Sequence, residues 1–256
     1  MIMERQNNKD DAAIRTQDLR KAFGEQVVLN GVSLTVPRGQ TLIVLGRSGT
    51  GKSVLLKLLI GLQKPDSGTI EINGAEITKS PLNELNEMRK KLGFLFQNAA
   101  LYDSLTVEEN VAFPLRRHTK MKGGELQDRV RELLSRVGME EAMKKMPADI
   151  SGGMKKRVGL ARALALDPEI MLLDEPNAGL DPITATEIDE LIRELQQERS
   201  ITSVVVTHDM RSVDTVADRV AMLNNGSIVI EGTPAELHQS DDPFVMKFMQ
   251  EKREEK

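Results

Sequence analysis

The chain has 256 residues, 39% of them hydrophobic, which is enough for one large domain or two modest ones around an ordinary buried core. It contains no cysteine, which excludes a disulfide framework and a thiolate metal site and fits a reducing compartment such as the cytoplasm. Acidic and basic residues are interspersed at a net charge of −4, so no broad electropositive surface for nucleic acid is implied, and no run approaches the roughly 20 apolar residues that span a bilayer.

Residues 1–13 are polar, hold no apolar stretch of signal-peptide length and are expected to be frayed, which leaves a single ordered domain over 14–256. Short strands are predicted around Ile14–Leu19, Val27–Leu29 and Val32–Val36, with Pro37-Arg38-Gly39 closing the block as a turn. Thr41-Leu42-Ile43-Val44-Leu45 is a continuous apolar run, the pattern of a strand buried on both faces in a parallel sheet. Glu169–Leu173 and Ser203–Val206 repeat that pattern, and a further strand is read at Leu92–Phe96. Helical periodicity over Pro81–Arg89, Gly123–Val137 and Met154–Leu166 predicts a mostly helical insertion at about residues 98–160. Strands follow near Arg219–Leu223 and Ser227–Ile230, joined by the turn Asn224-Asn225-Gly226. Thr233-Pro234 and Asp242-Pro243 each place a capping residue before a proline, predicting two short helices over about residues 234–252. Strand–helix–strand alternation of this kind makes an α/β core with crossover helices.

Gly46-Arg47-Ser48-Gly49-Thr50-Gly51-Lys52-Ser53 fits G-x-x-x-x-G-K-[ST] and lies between a buried strand and the apolar helix predicted over Val54–Leu62. In such a loop successive backbone N–H groups cradle phosphate oxygens, and the helix N-terminus adds partial positive charge. Lys52 is then placed to neutralise the β- and γ-phosphates, and the Ser53 hydroxyl to ligate Mg²⁺. The motif alone says only nucleoside triphosphate. A second carboxylate-bearing run, Ile170-Met171-Leu172-Leu173-Asp174-Glu175, ends a core strand. Asp174 is placed to hold Mg²⁺, and Glu175, one residue beyond, to polarise an attacking water. Ser151-Gly152-Gly153 precedes a helix and offers a second anion site at its N-terminus.

These motifs, in this order, resemble the ABC ATPases, with Ile150-Ser151-Gly152-Gly153-Met154 similar to their signature motif. The resemblance spans about Ile14 to Gln250. It implies an α/β P-loop NTPase of ABC type, with a mostly parallel core sheet, an N-terminal antiparallel β-subdomain and a helical subdomain. It implies ATP and Mg²⁺ as ligands, and a homodimer closed head to tail, in which Ser151, Gly152 and Gly153 grip the nucleotide on the other copy's P-loop. Gln97 resembles the glutamine that contacts Mg²⁺ or the attacking water. Asp181, in Ala178-Gly179-Leu180-Asp181, resembles a residue that reaches across the dimer, and His208 resembles the histidine that contacts the γ-phosphate and Glu175. Phe23 sits where the family stacks an aromatic on adenine, although a core role is an even alternative. The implied nucleotide-binding set is Phe23, Ser48, Gly49, Thr50, Gly51, Lys52, Ser53, Val54, Ser151, Gly152, Gly153 and Asp181. The catalytic set is Glu175, His208 and Gln97, and the metal set Ser53, Gln97 and Asp174. His118 and His238 are assigned no role. The sequence departs from relatives at Arg47, where proline is frequent, at Ile150 and Met154, where leucine and glutamine are usual, and at Asn177, where serine or threonine is frequent. Met154 has no side-chain amide with which to make the ribose contact that a glutamine makes there in relatives.

Within the family, Gln97-Asn98-Ala99-Ala100-Leu101-Tyr102-Asp103-Ser104-Leu105-Thr106-Val107, continuing to Phe113-Pro114-Leu115, is similar to the ATPases of Mla-type, MCE-associated phospholipid transporters. That resemblance implies a multi-spanning permease and an MCE-type lipid-binding subunit as partners, no nucleic acid, and a peripheral location on the cytoplasmic face of the inner membrane. The alternatives are an ABC ATPase with other cargo and a regulatory ABC ATPase that moves none.

Overall fold

Two sheets and the helices packed between and around them form the fold of residues 11–254, the residues that the computed structural model describes. In the smaller sheet, β1 (Ala12–Phe23) and β2 (Gln26–Pro37) make a long antiparallel hairpin. On the other side of β1 come β4 (Ser67–Ile72) and β5 (Ala75–Glu76), in the order β2-β1-β4-β5. The larger sheet contains β3 (Thr41–Leu45), β6 (Leu92–Leu95), β7 (Ile170–Asp174), β8 (Thr202–Thr207), β9 (Arg219–Asn224) and β10 (Ser227–Gly232). Its order is β10-β9-β3-β8-β7-β6, parallel throughout except for the antiparallel edge strand β10.

The smaller sheet differs from the sequence expectation in three ways. β1 starts at Ala12, inside the stretch expected to be frayed, and Ala13 is buried there; residues 1–10 of that stretch lie outside the described residues. The two strands expected over Val27–Leu29 and Val32–Val36 are one strand. Between them Gly31, at φ 81°, absorbs a register shift between Leu19 and Arg20 of β1 and forms a bulge within β2. β4 and β5 carry no long apolar run and were not expected.

Side-chain alternation along the core strands divides the interior in two. Leu42 and Val44 of β3, Ile170 and Leu172 of β7, and Val204 and Val206 of β8 face a core shared with the smaller sheet and α1 (Lys52–Leu59). Ile43, Leu45, Met171, Leu173 and Val205 face the second core. It is covered by α3 (Val107–His118), α4 (Gly123–Arg136), α5 (Gly152–Ala163), α6 (Pro182–Arg199), α7 (Met210–Val216) and α9 (Pro243–Glu254). α2 (Leu82–Arg89) and α8 (Pro234–His238) are the other α-helices among the described residues. α3 was not read as a separate helix, although Thr106 and Glu109 form a complete capping box at its start. α5 begins two residues before the apolar periodicity does, because the Ser151 hydroxyl accepts from the Met154 amide and fixes the first turn.

Candidate nucleotide site

Strand register brings the site together. Leu45 of β3 pairs with Thr207 of β8, Val206 of β8 with Asp174 of β7, and Leu173 of β7 with Leu95 of β6. All four strands run the same way, so the chain leaves the sheet side by side at Gly46, His208, Glu175 and Gln97. This carboxyl edge is where open parallel sheets take their ligands.

Gly46–Ser53 wraps into α1 with Gly51 at φ 103°, a conformation open to glycine, and a Cβ there would lie 2.9 Å from Val28 of β2. Thr50 Oγ1 donates to the Arg47 carbonyl at 2.8 Å, while Ser48 and Gly49 are exposed and Val54 half-buried in α1. The buried Lys52 ammonium donates to the carbonyls of Gly46 and Arg47 at 2.8 and 3.0 Å and lies 3.4 Å from Glu175 Oε1. Ser53 Oγ donates to Asp174 Oδ1 at 2.7 Å. His208 Nδ1 is 2.9 Å from Glu175 Oε2, so the Glu175 carboxylate is held on both sides. Its backbone sits in the left-handed region at φ 46° with its amide bonded to the Val206 carbonyl at 2.9 Å.

The two carboxyls are driven apart. Burial pushes Asp174 up, and the neighbouring Glu175 charge adds to this against the Ser53 hydrogen bond. Burial pushes Glu175 up as well, but the His208 hydrogen bond and the Lys52 charge outweigh it and hold this carboxyl below the usual range. Glu175 is therefore ionised at neutral pH and able to accept a proton or orient a water.

These donors fit ATP and Mg²⁺. A hydroxyl and a single carboxylate in contact, beside a phosphate-binding loop, are the hard oxygen ligands that Mg²⁺ takes together with nucleotide phosphates. Among the described residues no group of three or more His, Cys, Asp or Glu could hold a metal ion.

The remaining predicted residues lie at the starts of α5 and α6, beyond β6 and at the tip of the β1–β2 hairpin. Ser151 caps α5, and a Cβ on Gly152 would meet Leu180 at 3.5 Å. Asp181 caps α6, accepting from the amides of Ile183 and Thr184 and from Thr184 Oγ1. Met154 packs against the core beneath. Gln97 is exposed beyond β6, and its carbonyl accepts from Lys156. Phe23 is exposed at the tip of the hairpin with Lys21 Nζ 5.4 Å from its ring, so the core alternative does not hold.

Two features escaped the sequence reading. Lys156, buried in α5, donates to the carbonyls of Gln97 and Glu175; its position three residues after Gly153 and four before Leu160 is an apolar-stripe position, which was the available signal. Arg47 ties the phosphate loop to α9, donating to both carboxylate oxygens of Glu251 at 2.6 Å and lying 5.8 Å from the Phe244 ring.

A groove of about 710 Å³ opens beside Phe96, the residue before Gln97. Its wall includes Phe96, Tyr102 and Phe113, with the rings of Tyr102 and Phe113 centred 4.8 Å apart. The loop beneath is held by the buried Asn110, which accepts from the Tyr102 amide and donates to the carbonyls of Tyr102, Leu105 and Thr106. Arg162 of α5 donates to the carbonyls of Ala99 and Ala100, two consecutive alanines at φ 57° and 47°.

The family model described as ABC transporter matches residues 29–178. The chain belongs to the ABC transporter family. Over 94% of its length this ABC ATPase is 44% identical to the probable ribonucleotide transport ATP-binding protein mkl of Mycobacterium bovis, covering 67% of that protein. It is 43% identical over 87% of its length to the methionine import ATP-binding protein MetN of Rhizobium johnstonii, covering 61% of that one. Among solved structures, the dimeric cassette MJ0796 in a post-hydrolysis state with ADP and Pi superposes with a TM-score of 0.80 at 33% identity, over 86% of this chain and 98% of that one. CbiO1 of Clostridium perfringens, part of the ABC transporter complex cbiONQ, gives 0.82 at 30% identity over 94% and 99%. The cassette fold is thus the expected one, and the chain is an ATP-binding, ATP-hydrolysing subunit of an ABC transporter that uses ATP with Mg²⁺. Among the described residues no helix is long and apolar enough to cross a membrane.

Proposed function

We propose that two copies of this ABC ATPase, bound at the cytoplasmic face of the inner membrane, close head to tail on two Mg-ATP and drive a multi-spanning permease that moves phospholipid together with an MCE-type lipid-binding subunit. The observation that carries the motor part is the held, ionised Glu175 at the sheet edge, in the same chain as a helix whose N-terminus carries Ser151, Gly152 and Gly153.

In this reading Lys52 and the N–H groups of the phosphate loop bind the β- and γ-phosphates, and Phe23 stacks on adenine. Glu175 takes a proton from water as that oxygen bonds to the γ-phosphorus and the bond to the departing ADP oxygen breaks, giving ADP and phosphate. His208 keeps the carboxylate aimed. Ser53, Asp174 and Gln97 would hold Mg²⁺, which when bound offsets charge on the phosphate oxygens. Ser151, Gly152 and Gly153 of the second copy grip the γ-phosphate from the opposite side, with Asp181 reaching across the interface. Loss of that contact after hydrolysis reopens the dimer, so work comes from the difference in affinity between the two states.

The cargo part rests on the groove. The mkl and MetN relatives are 44% and 43% identical, yet their names give different cargoes, ribonucleotide and methionine, so overall similarity does not discriminate cargo. The Gln97–Leu115 segment, which supplies Ala100, Tyr102, Phe113 and Pro114 to the groove, is the part resembling the phospholipid transporters. The test is ATP-driven transfer of fluorescent phospholipid by the chain reconstituted into vesicles with its co-purified membrane subunits. Transfer is expected to require ATP and to vanish in Glu175→Gln, which still binds ATP. Wild-type steady-state hydrolysis by Glu175→Gln would overturn the role of Glu175; transport of methionine or a nucleotide in place of lipid would overturn the cargo.

A further inference from the structure

Lys156 is one of the few charged side chains buried in the described residues, at 4% exposure, and no carboxylate neutralises it by direct contact. Its two hydrogen bonds go to peptide carbonyls, that of Glu175 at 2.9 Å and that of Gln97. Burying an ammonium costs several kcal/mol, and a methionine of similar length would fill the same space without that cost. Burial lowers this ammonium to about 8, with the Glu175 and Asp174 carboxylates opposing the fall, so it remains charged at neutral pH.

The two carbonyls belong to loops that leave adjacent parallel strands, β6 and β7, at the reacting edge. One of them, Glu175, carries a backbone in the left-handed region, which is unfavourable for a residue with a Cβ and persists only where its surroundings hold it. Lys156 supplies that hold from below, while His208 and Lys52 hold the carboxylate above. The lysine stands on α5, whose first turn contains Gly152 and Gly153. One rigid helix therefore joins the anion-binding end to the peptide of Glu175 and to the Gln97 loop beside the groove.

We infer that Lys156 is a positioning residue for hydrolysis, fixing the Glu175 peptide and the Gln97 loop to the signature helix so that the carboxylate is aimed only when that helix is in place. The inference rests on the reading of Glu175 as the water-polarising group. It assigns Lys156 no contact with nucleotide, so turnover and nucleotide affinity should separate.

The test compares Lys156→Met, which keeps length and loses the donors, with Lys156→Arg, which keeps donors and charge. Steady-state hydrolysis is measured on the full-length chain and affinity by titration with mant-ATP, after melting curves confirm folding. Lys156→Met is expected to lose about 30-fold or more in kcat, the scale of a misplaced catalytic group, with the Kd for mant-ATP unchanged within about two-fold. Lys156→Arg should recover most of the loss. Should Lys156→Met not fold, Lys156→Gln, which retains an amide donor, is read instead, with a kcat expected between those of wild type and the lost activity. The inference is overturned by wild-type kcat in folded Lys156→Met or Lys156→Gln, by a Kd that weakens in step with kcat, or by a folded Lys156→Arg no better than Lys156→Met. Loss of turnover in Glu175→Gln alongside wild-type turnover in Lys156→Met would remove this inference alone, whereas full turnover in Glu175→Gln would remove the reading beneath it.

Discussion

Gly153 offers a prediction in which one methyl group decides the outcome. A Cβ at this position would lie 2.5 Å from Thr184 Cγ2, well inside van der Waals contact. Thr184 cannot simply rotate away: its χ1 is stiff, and its hydroxyl is bonded at 2.6 Å to Asp181, which caps α6. Gly153→Ala must therefore wedge the first turns of α5 and α6 apart. Overpacking of this kind costs about 1–3 kcal/mol. For a domain of this size that is a fall in Tm of roughly 2 to 12 °C. Thr184→Ser deletes the offending methyl and keeps the hydroxyl, so adding it to Gly153→Ala should restore most of the lost Tm, measured by circular dichroism melting of the full-length chain. Hydrolysis measured on the same samples separates two roles: recovery of rate with Tm means that Gly153 is needed for packing, and a lasting deficit means that the phosphate also requires its bare backbone. A Gly153→Ala melt superimposed on wild type, or no recovery in the double variant, would refute the reasoning.

Asp189 supplies a pH prediction. Burial pushes its carboxyl to about 6 from 3.8, with the nearby Asn177 and Ser212 side chains and the Arg211 charge opposing and the Asp209 charge adding. The folded state therefore keeps a proton that the unfolded chain releases, so this group favours folding at low pH and that contribution is lost as pH rises from about 4 through 6, up to about 3 kcal/mol. Asp189→Asn should gain stability relative to wild type from pH 4 to pH 8 in urea unfolding; a pH-independent difference contradicts this. Ser53→Ala should raise the Mg²⁺ concentration for half-maximal hydrolysis by about tenfold or more, and an unchanged Mg²⁺ titration would remove Ser53 from the metal site.

The reacting edge was legible because each of its parts is local in sequence. Apolar runs mark strands buried on both faces, and the residues directly after them, Gly46, Gln97, Glu175 and His208, fall together once the strands pair in parallel. What escaped depends on contacts distant along the chain. The break expected between Val27–Leu29 and Val32–Val36 is a bulge within one strand, because β1 pairs on both sides of it. Lys156 carries no motif, and its partners lie 59 and 19 residues away. The Arg47–Glu251 pair joins residues 204 apart, and nothing local to either one marks it. The fate of Phe23 was undecided in the sequence because aromatic side chains serve both cores and exposed stacking surfaces; its place at a hairpin tip decides for exposure.

Whether Lys52 of one copy and Ser151 of another complete a single catalytic centre is tested most directly by the rate of hydrolysis per chain across a dilution series, with molecular mass measured in parallel under saturating Mg-ATP. The rate per chain should fall in step with the fraction of dimer. An undiminished rate at dilutions where only monomer is present would contradict the composite site and the head-to-tail motor built on it.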